Sequence, residues 1–117
     1  MNSFLHRDHR NLGFSVMDAI YPYARDHLHF PEQIKSEIKP HKVKDLLFWG
    51  SDSPNVSIDV SDFGIYKIES LAKHQSQLPG LSLGSDYGKN ILKRLEDSAT
   101  DCDFKYAESF RMIVARS

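Results

Sequence analysis

Two imidazoles and a carboxylate fall within four residues near the start of this 117-residue chain, in the run His6-Arg7-Asp8-His9-Arg10-Asn11-Leu12-Gly13. A neutral imidazole nitrogen can ligate a metal, and the ring can also move protons, because its ordinary pKa of about 6.5 lies close to physiological pH. If a helix begins around Asp8, His6 and His9 stand about one turn apart on neighbouring faces, within reach of one small site. Asp8 would then cap the first turn, where a carboxylate accepts free backbone N–H groups and meets the positive end of the helix dipole. The spacing H-x-D-H therefore admits two readings: a metal or catalytic pair, or surface histidines beside a helix cap.

Other residues qualify for chemistry by type alone. Asp52, Asp59, Asp62, His74 and Cys102 could ligate a metal, yet each has a plainer role. Asp59 and Asp62 suit a turn and a helix cap, and His74 suits a helix C-terminus, where a cation is favoured. Cys102 reads as a small half-buried apolar residue. His27, His29 and His41 fall in or beside a proline-rich stretch and read as surface residues. Glu108 and Arg111 could pair across one face of the last segment or line a cleft, structure being the simpler role. Trp49 reads as core rather than as a platform for a sugar.

The elements that must hold these residues follow from periodicity. Leu12, Val16, Ala19, Ile20 and Tyr23 recur at helical spacing over 10–21, and Pro22 marks the stop. Residues 21–40 carry Pro22, Pro31 and Pro40 and read as an irregular excursion, with a short helix at 32–38 and with Tyr21, Tyr23 and Phe30 holding it down. Residues 44–50 predict a strand in which Leu46-Leu47-Phe48-Trp49 is buried on both faces and Gly50 closes the run. A turn at 51–55 leads to a half-buried strand at 56–60. A helix follows over 61–75, capped by Ser61 or Asp62, with His74 in its last turn. Residues 78–88 form a Gly, Ser and Pro loop, 87–97 a helix, and 107–115 a final strand with Phe110, Met112 and Val114 at period two. Phe4 and Leu5 could end a further strand.

The chain has the length of one domain. Fifteen Lys and Arg against sixteen Asp and Glu leave a net charge of −1, with no basic field that would point to nucleic acid or an anionic membrane. A single cysteine excludes an intrachain disulfide framework and suits a reducing, cytoplasmic setting. Neither a signal peptide nor a stretch long enough to cross a bilayer is evident. A doubly buried strand among about three needs neighbours on both edges and helices on both faces. The expectation is thus an α/β fold with sheet missing.

Several motifs in order resemble one family. His6-Arg7-Asp8-His9-Arg10-Asn11-Leu12-Gly13 resembles the H-P-D-H-x-x-x-G signature of the PIG-L/LmbE-like N-deacetylases. Similarity continues through Tyr21-Pro22-Tyr23-Ala24-Arg25-Asp26, Phe30-Pro31-Glu32, Pro40-His41-Lys42-Val43, the strand ending at Gly50, Asp59-Val60-Ser61-Asp62, Lys67, His74-Gln75-Ser76-Gln77 and Tyr106-Ala107-Glu108-Ser109-Phe110-Arg111. The resemblance implies a Rossmann-like three-layer α/β fold and a zinc-dependent hydrolase that removes acetyl groups from N-acetylglucosamine-type amino sugars. It further implies that His9 ligates zinc, that His6 stabilises the developing oxyanion or acts as an acid, that Asp8 orients its neighbours, and that the H-x-S-Q segment at His74 lies near the pocket. Arg7 stands where the family has proline, which places a cation beside the site. The family's other signature, A-H-P-D-D, which would supply a histidine and an aspartate to the zinc and another aspartate as general base, is absent and would lie upstream of His6.

Residues 1–117 are accordingly expected to be the C-terminal portion of such a deacetylase domain, lacking its N-terminal half. A catalytic zinc usually has three protein ligands and an open position for water, whose pKa it lowers to about 7, and a positioned base adds about 10²–10⁴-fold in rate. With one ligand assigned and no base, the chain alone should be very slow or inactive. Its expected partners are an N-acetyl amino sugar and either further copies of itself or a complementing N-terminal half. A different class remains open, a non-catalytic oligomerising or partner-binding module, and so does a truncated product without an independent role.

Overall fold

A computed structural model describes residues 6–115 and divides into two compact units, Met1–Asp52 with Met112–Ser117, and Ser53–Arg111. The expectation of a strand at Phe4 and Leu5 lies outside the described residues.

In the first unit, helix α1 (Arg7–Asp18) leads into a wide turn, Ala19–Tyr23, closed by a hydrogen bond from Ala24 N to Ala19 O at 2.8 Å. The helix stops where the sequence says it must. Tyr21 precedes a proline, which disfavours the helical region, and it takes φ −148° and ψ 120°. Helix α2 (Pro31–Lys35) begins on a proline whose missing N–H costs nothing there, with Glu32 in its first turn and Lys35 in its last, each favoured by the helix dipole. Glu37, at φ 64°, ends it in the left-handed conformation, so that Glu37 N reaches Ile34 O at 3.1 Å and Ile38 N reaches Gln33 O at 3.0 Å. A hydrogen bond from His41 N to Ala24 O, 2.8 Å, closes the base of the excursion. Tyr23 lies against His29 and Phe30, with ring centroids at 5.0 and 6.0 Å.

Strand β1 (Asp45–Phe48) departs from expectation. Leu46 and Phe48 are half-buried, whereas Leu47 is 39% and Trp49 57% exposed. A continuous apolar run is covered on both sides only when elements lie over both faces of its sheet, and the described residues leave the Leu47 face open.

The second unit holds the buried core. Strand β2 (Val56–Asp59) pairs antiparallel with strand β3 (Ala107–Val114), Val56 opposite Phe110 and Asp59 opposite Ala107. The strand order is β1-β3-β2. Between β2 and β3 in sequence come helices α3 (Gly64–Ala72) and α4 (Asp86–Ser98), which pack against each other. Ile68, Ile91, Leu95, Ala99 and Ala107 are buried, and each large aliphatic side chain removed from water this way contributes roughly 1.5–3 kcal/mol. Gly64 permits the approach of α3, since a Cβ there would stand 3.3 Å from both Leu92 and Tyr106. The result is a small mixed α/β arrangement.

Helix α3 starts later than its expected cap, on Phe63, which supplies no side-chain cap. Ser61 is occupied elsewhere. Its N and Oγ donate to Asp59 Oδ1 at 2.9 and 2.7 Å, while its Oγ accepts from Lys105 N and Tyr106 N, both at 3.2 Å. Asp59 thus closes a turn, and the hydroxyl of Ser61 ties that turn to the approach of β3. His74 falls just past α3 instead of in its last turn, and its carbonyl accepts from Gln77 N and Leu78 N. Helix α4 is capped by Ser85, whose Oγ accepts from Gly88 N at 3.1 Å.

Candidate functional site

The first turn of α1 is built by a histidine. His6 occupies the capping position with φ −54° and ψ 144°, and its Nδ1 accepts the free N–H of Asp8 at 3.2 Å. Its carbonyl accepts from His9 N and Arg10 N at 3.0 and 3.3 Å, starting the helix. Asp8 is therefore not the cap. It sits inside the first turn, where its carboxylate still meets the dipole, with Oδ1 3.5 Å from Arg7 Nε and Oδ2 3.7 Å from His6 Nδ1. Arg7, the departure from the signature, thus places its cation on Asp8.

The cap has a chemical consequence. A neutral imidazole carries one N–H, so an Nδ1 that accepts a hydrogen bond leaves the proton on Nε2. His6 then presents a donor to solvent, in a side chain that is 69% exposed.

His9 faces differently. Its ring lies 6.4 Å from that of His6 at 78°, and 5.1 Å from that of Trp49 at 81°. Together with Trp49 it borders a cavity of about 410 Å³ whose walls include Leu12, Phe14, Val16 and Met17 from α1 and Leu46 to Phe48 from β1. His6 and Asp8 do not line that cavity. A near-perpendicular pair of aromatic rings is a favourable quadrupole arrangement, and it holds the two rings together in the lining of the cavity. Trp49 was expected in the core. It stands instead beside His9, and Gly50, at φ 66°, turns the chain immediately after it. The signal available in the sequence was an aromatic residue at the end of a strand just before a glycine turn.

The remaining candidates have other duties or belong to the other unit. Asp52, at the end of the first unit, is exposed. His27, His29 and His41 are exposed as expected. Asp59, Asp62, His74, Cys102, Glu108 and Arg111 belong to the second unit. Hydrogen bonds from Ser61 hold the Asp59 carboxyl below the usual aspartate range. Glu108 pairs with Lys67, and Arg111 Nη1 donates to Ser53 O at 3.3 Å, so Glu108 and Arg111 do not pair with each other. Residues three apart on a strand point to opposite faces. Cys102 is a half-buried free thiol.

Zinc makes a specific demand on this set. Among the described residues no group of three or more His, Cys, Asp or Glu side chains could hold a metal ion. A catalytic zinc usually takes three protein ligands, so the described donors do not fit a complete zinc site, and His9 with its neighbours is at most one part of one. No described helix is long and apolar enough to cross a membrane.

No family profile matches the chain. Among characterised proteins it is similar to diacetylchitobiose deacetylase of Thermococcus kodakarensis, with 28% identity over 74 residues. That alignment takes in 63% of this chain and 27% of the relative, so the chain spans only about a quarter of that protein's length. The similarity is to a deacetylase, over one portion of it.

Proposed function

We propose that this chain supplies one part of the active site of a deacetylase that hydrolyses the N-acetyl group of an amino sugar related to N-acetylglucosamine. The reading rests on the first turn of α1, where His6 offers an Nε2–H donor and His9 lines a cavity beside Trp49. The partial similarity to diacetylchitobiose deacetylase supports it. Amide hydrolysis needs an attacking water, stabilisation of the tetrahedral oxyanion and a proton for the leaving amine. His6 suits the second task, and a single such donor is worth about 10²–10³ in rate. His9 suits metal ligation, and Trp49 gives a flat apolar face to a sugar ring.

The cofactor proposed is zinc, with His9 as one ligand and the others, together with the general base, outside the described residues. Residues 1–117 are then the C-terminal portion of a Rossmann-like three-layer domain, working in the cytoplasm with a complementing segment that carries A-H-P-D-D. Alone, the chain should release acetate very slowly or not at all. Co-expression with such a segment, followed by an assay of acetate release from N,N′-diacetylchitobiose and N-acetylglucosamine before and after chelation, tests this. Release that needs the metal and disappears in His9→Ala supports the proposal, and a stable complex without metal-dependent release overturns it.

A second reading has its own observation. Leu12 and Phe14 on α1 are 61% and 63% exposed, and with Trp49 they give the first unit an apolar surface of the kind that partners cover. A purely assembling module predicts stable oligomers, no stoichiometric zinc, and a His9→Ala variant that differs only in local stability.

A further inference from the structure

A second cavity, of about 810 Å³, lies wholly within the 25–42 excursion and shares no lining residue with the one beside His9. Arg25, His27, Lys39 and Lys42 line it against one carboxylate, Glu37, and Ile34, Ile38 and Pro40 complete the wall. Among the lining side chains permanent cations thus outnumber anions by three to one, in a chain whose overall charge is −1. Among the described residues no hydrogen bond or ion pair engages the ammonium groups of Lys39 and Lys42. The guanidinium of Arg25 lies over the Tyr21 ring at 4.1 Å. The backbone is pinned on both sides, by His41 N to Ala24 O and by the left-handed Glu37 that ends α2. The backbone that carries residues 25 and 39–42 is thus held around one space before any ligand arrives, which lowers the ordering cost of binding.

We infer that this cavity binds a small molecule bearing a phosphate group, with Lys39, Lys42 and Arg25 on the anion and the Ile34, Ile38 and Pro40 wall against its organic part. A guanidinium fork and ammonium point charges match the oxygens and charge of phosphate better than those of a carboxylate. The volume lies in the range of small-molecule sites and exceeds what a bare phosphate fills. This inference does not depend on the deacetylase reading.

Titration of the full chain with phenyl phosphate, inorganic phosphate and acetate, followed by two-dimensional amide NMR and calorimetry, tests it. Phenyl phosphate should bind saturably and most tightly, acetate weakest, with shifts concentrated at residues 25–42. Lys39→Gln with Lys42→Gln should weaken phenyl phosphate at least about tenfold, from the loss of charge-assisted hydrogen bonds. Both lysines are exposed, so circular dichroism should show the fold intact. Glu37→Gln should tighten binding. Absence of saturable binding, equal affinity for acetate, or affinity unchanged in the double lysine variant would overturn the inference.

Discussion

His6 does two things that a single substitution can separate. As a cap it accepts Asp8 N; as an acid or oxyanion donor it needs the proton that this acceptance leaves on Nε2. His6→Ala removes both and should cost about 0.5–2 kcal/mol of stability. His6→Asn retains a good capping acceptor but no such proton. In the reconstituted enzyme it should keep helix content by circular dichroism and lose about 10²–10³ in rate; an unchanged rate would confine His6 to structure. Asp59 makes a prediction of a different kind. Its carboxyl is held below its ordinary value by hydrogen bonds from Ser61, so in acid the folded state binds fewer protons than the unfolded one. The stabilisation is present above about pH 3.9 and is lost as pH falls through the lower folded value. Urea midpoints between pH 5 and pH 2 should fall less steeply for Asp59→Asn than for the wild type.

At the scale of elements, α4 depends on one glycine. A Cβ at Gly88 would stand 2.0 Å from Ser82 O, a backbone atom that cannot swing aside. Gly88→Ala should cost about 1–3 kcal/mol by overpacking, whereas Gly84→Ala, with nothing within 4 Å, should be nearly neutral; equal urea midpoints for the two would contradict this. The elements were largely legible in the residues. Helical spacing and Pro22 located α1 and its end, period two located β3, and helical spacing over 87–97 announced α4 without its Ser85 cap. What failed did so for tertiary reasons. Ser61 looked like a cap, but its hydroxyl serves Asp59 and the Lys105–Tyr106 backbone across more than forty residues, a partner no local pattern reveals. The apolar run before Gly50 could not say which of its faces would be covered. Proximity of His6 and His9 was readable from one helical turn, while the meeting of His9 with Trp49 needed the fold.

Across the described residues, the buried hydrophobic side chains Ile68, Ile91, Leu95, Ala99 and Ala107 all belong to the second unit, and α1 contributes none. Regions with few buried contacts open at lower free energy than those around a core. Amides of α1 should therefore trade hydrogen for deuterium on a much faster clock than those of α4, and comparable rates in the two helices would refute that ordering. His6 and His9 thus ride on a helix that buries no side chain of its own. Any molecule that settles over Leu12, Phe14 and Trp49 lends it rigidity by mass action, and selective slowing of exchange along α1, with α4 unmoved, offers a label-free way to fish for that companion.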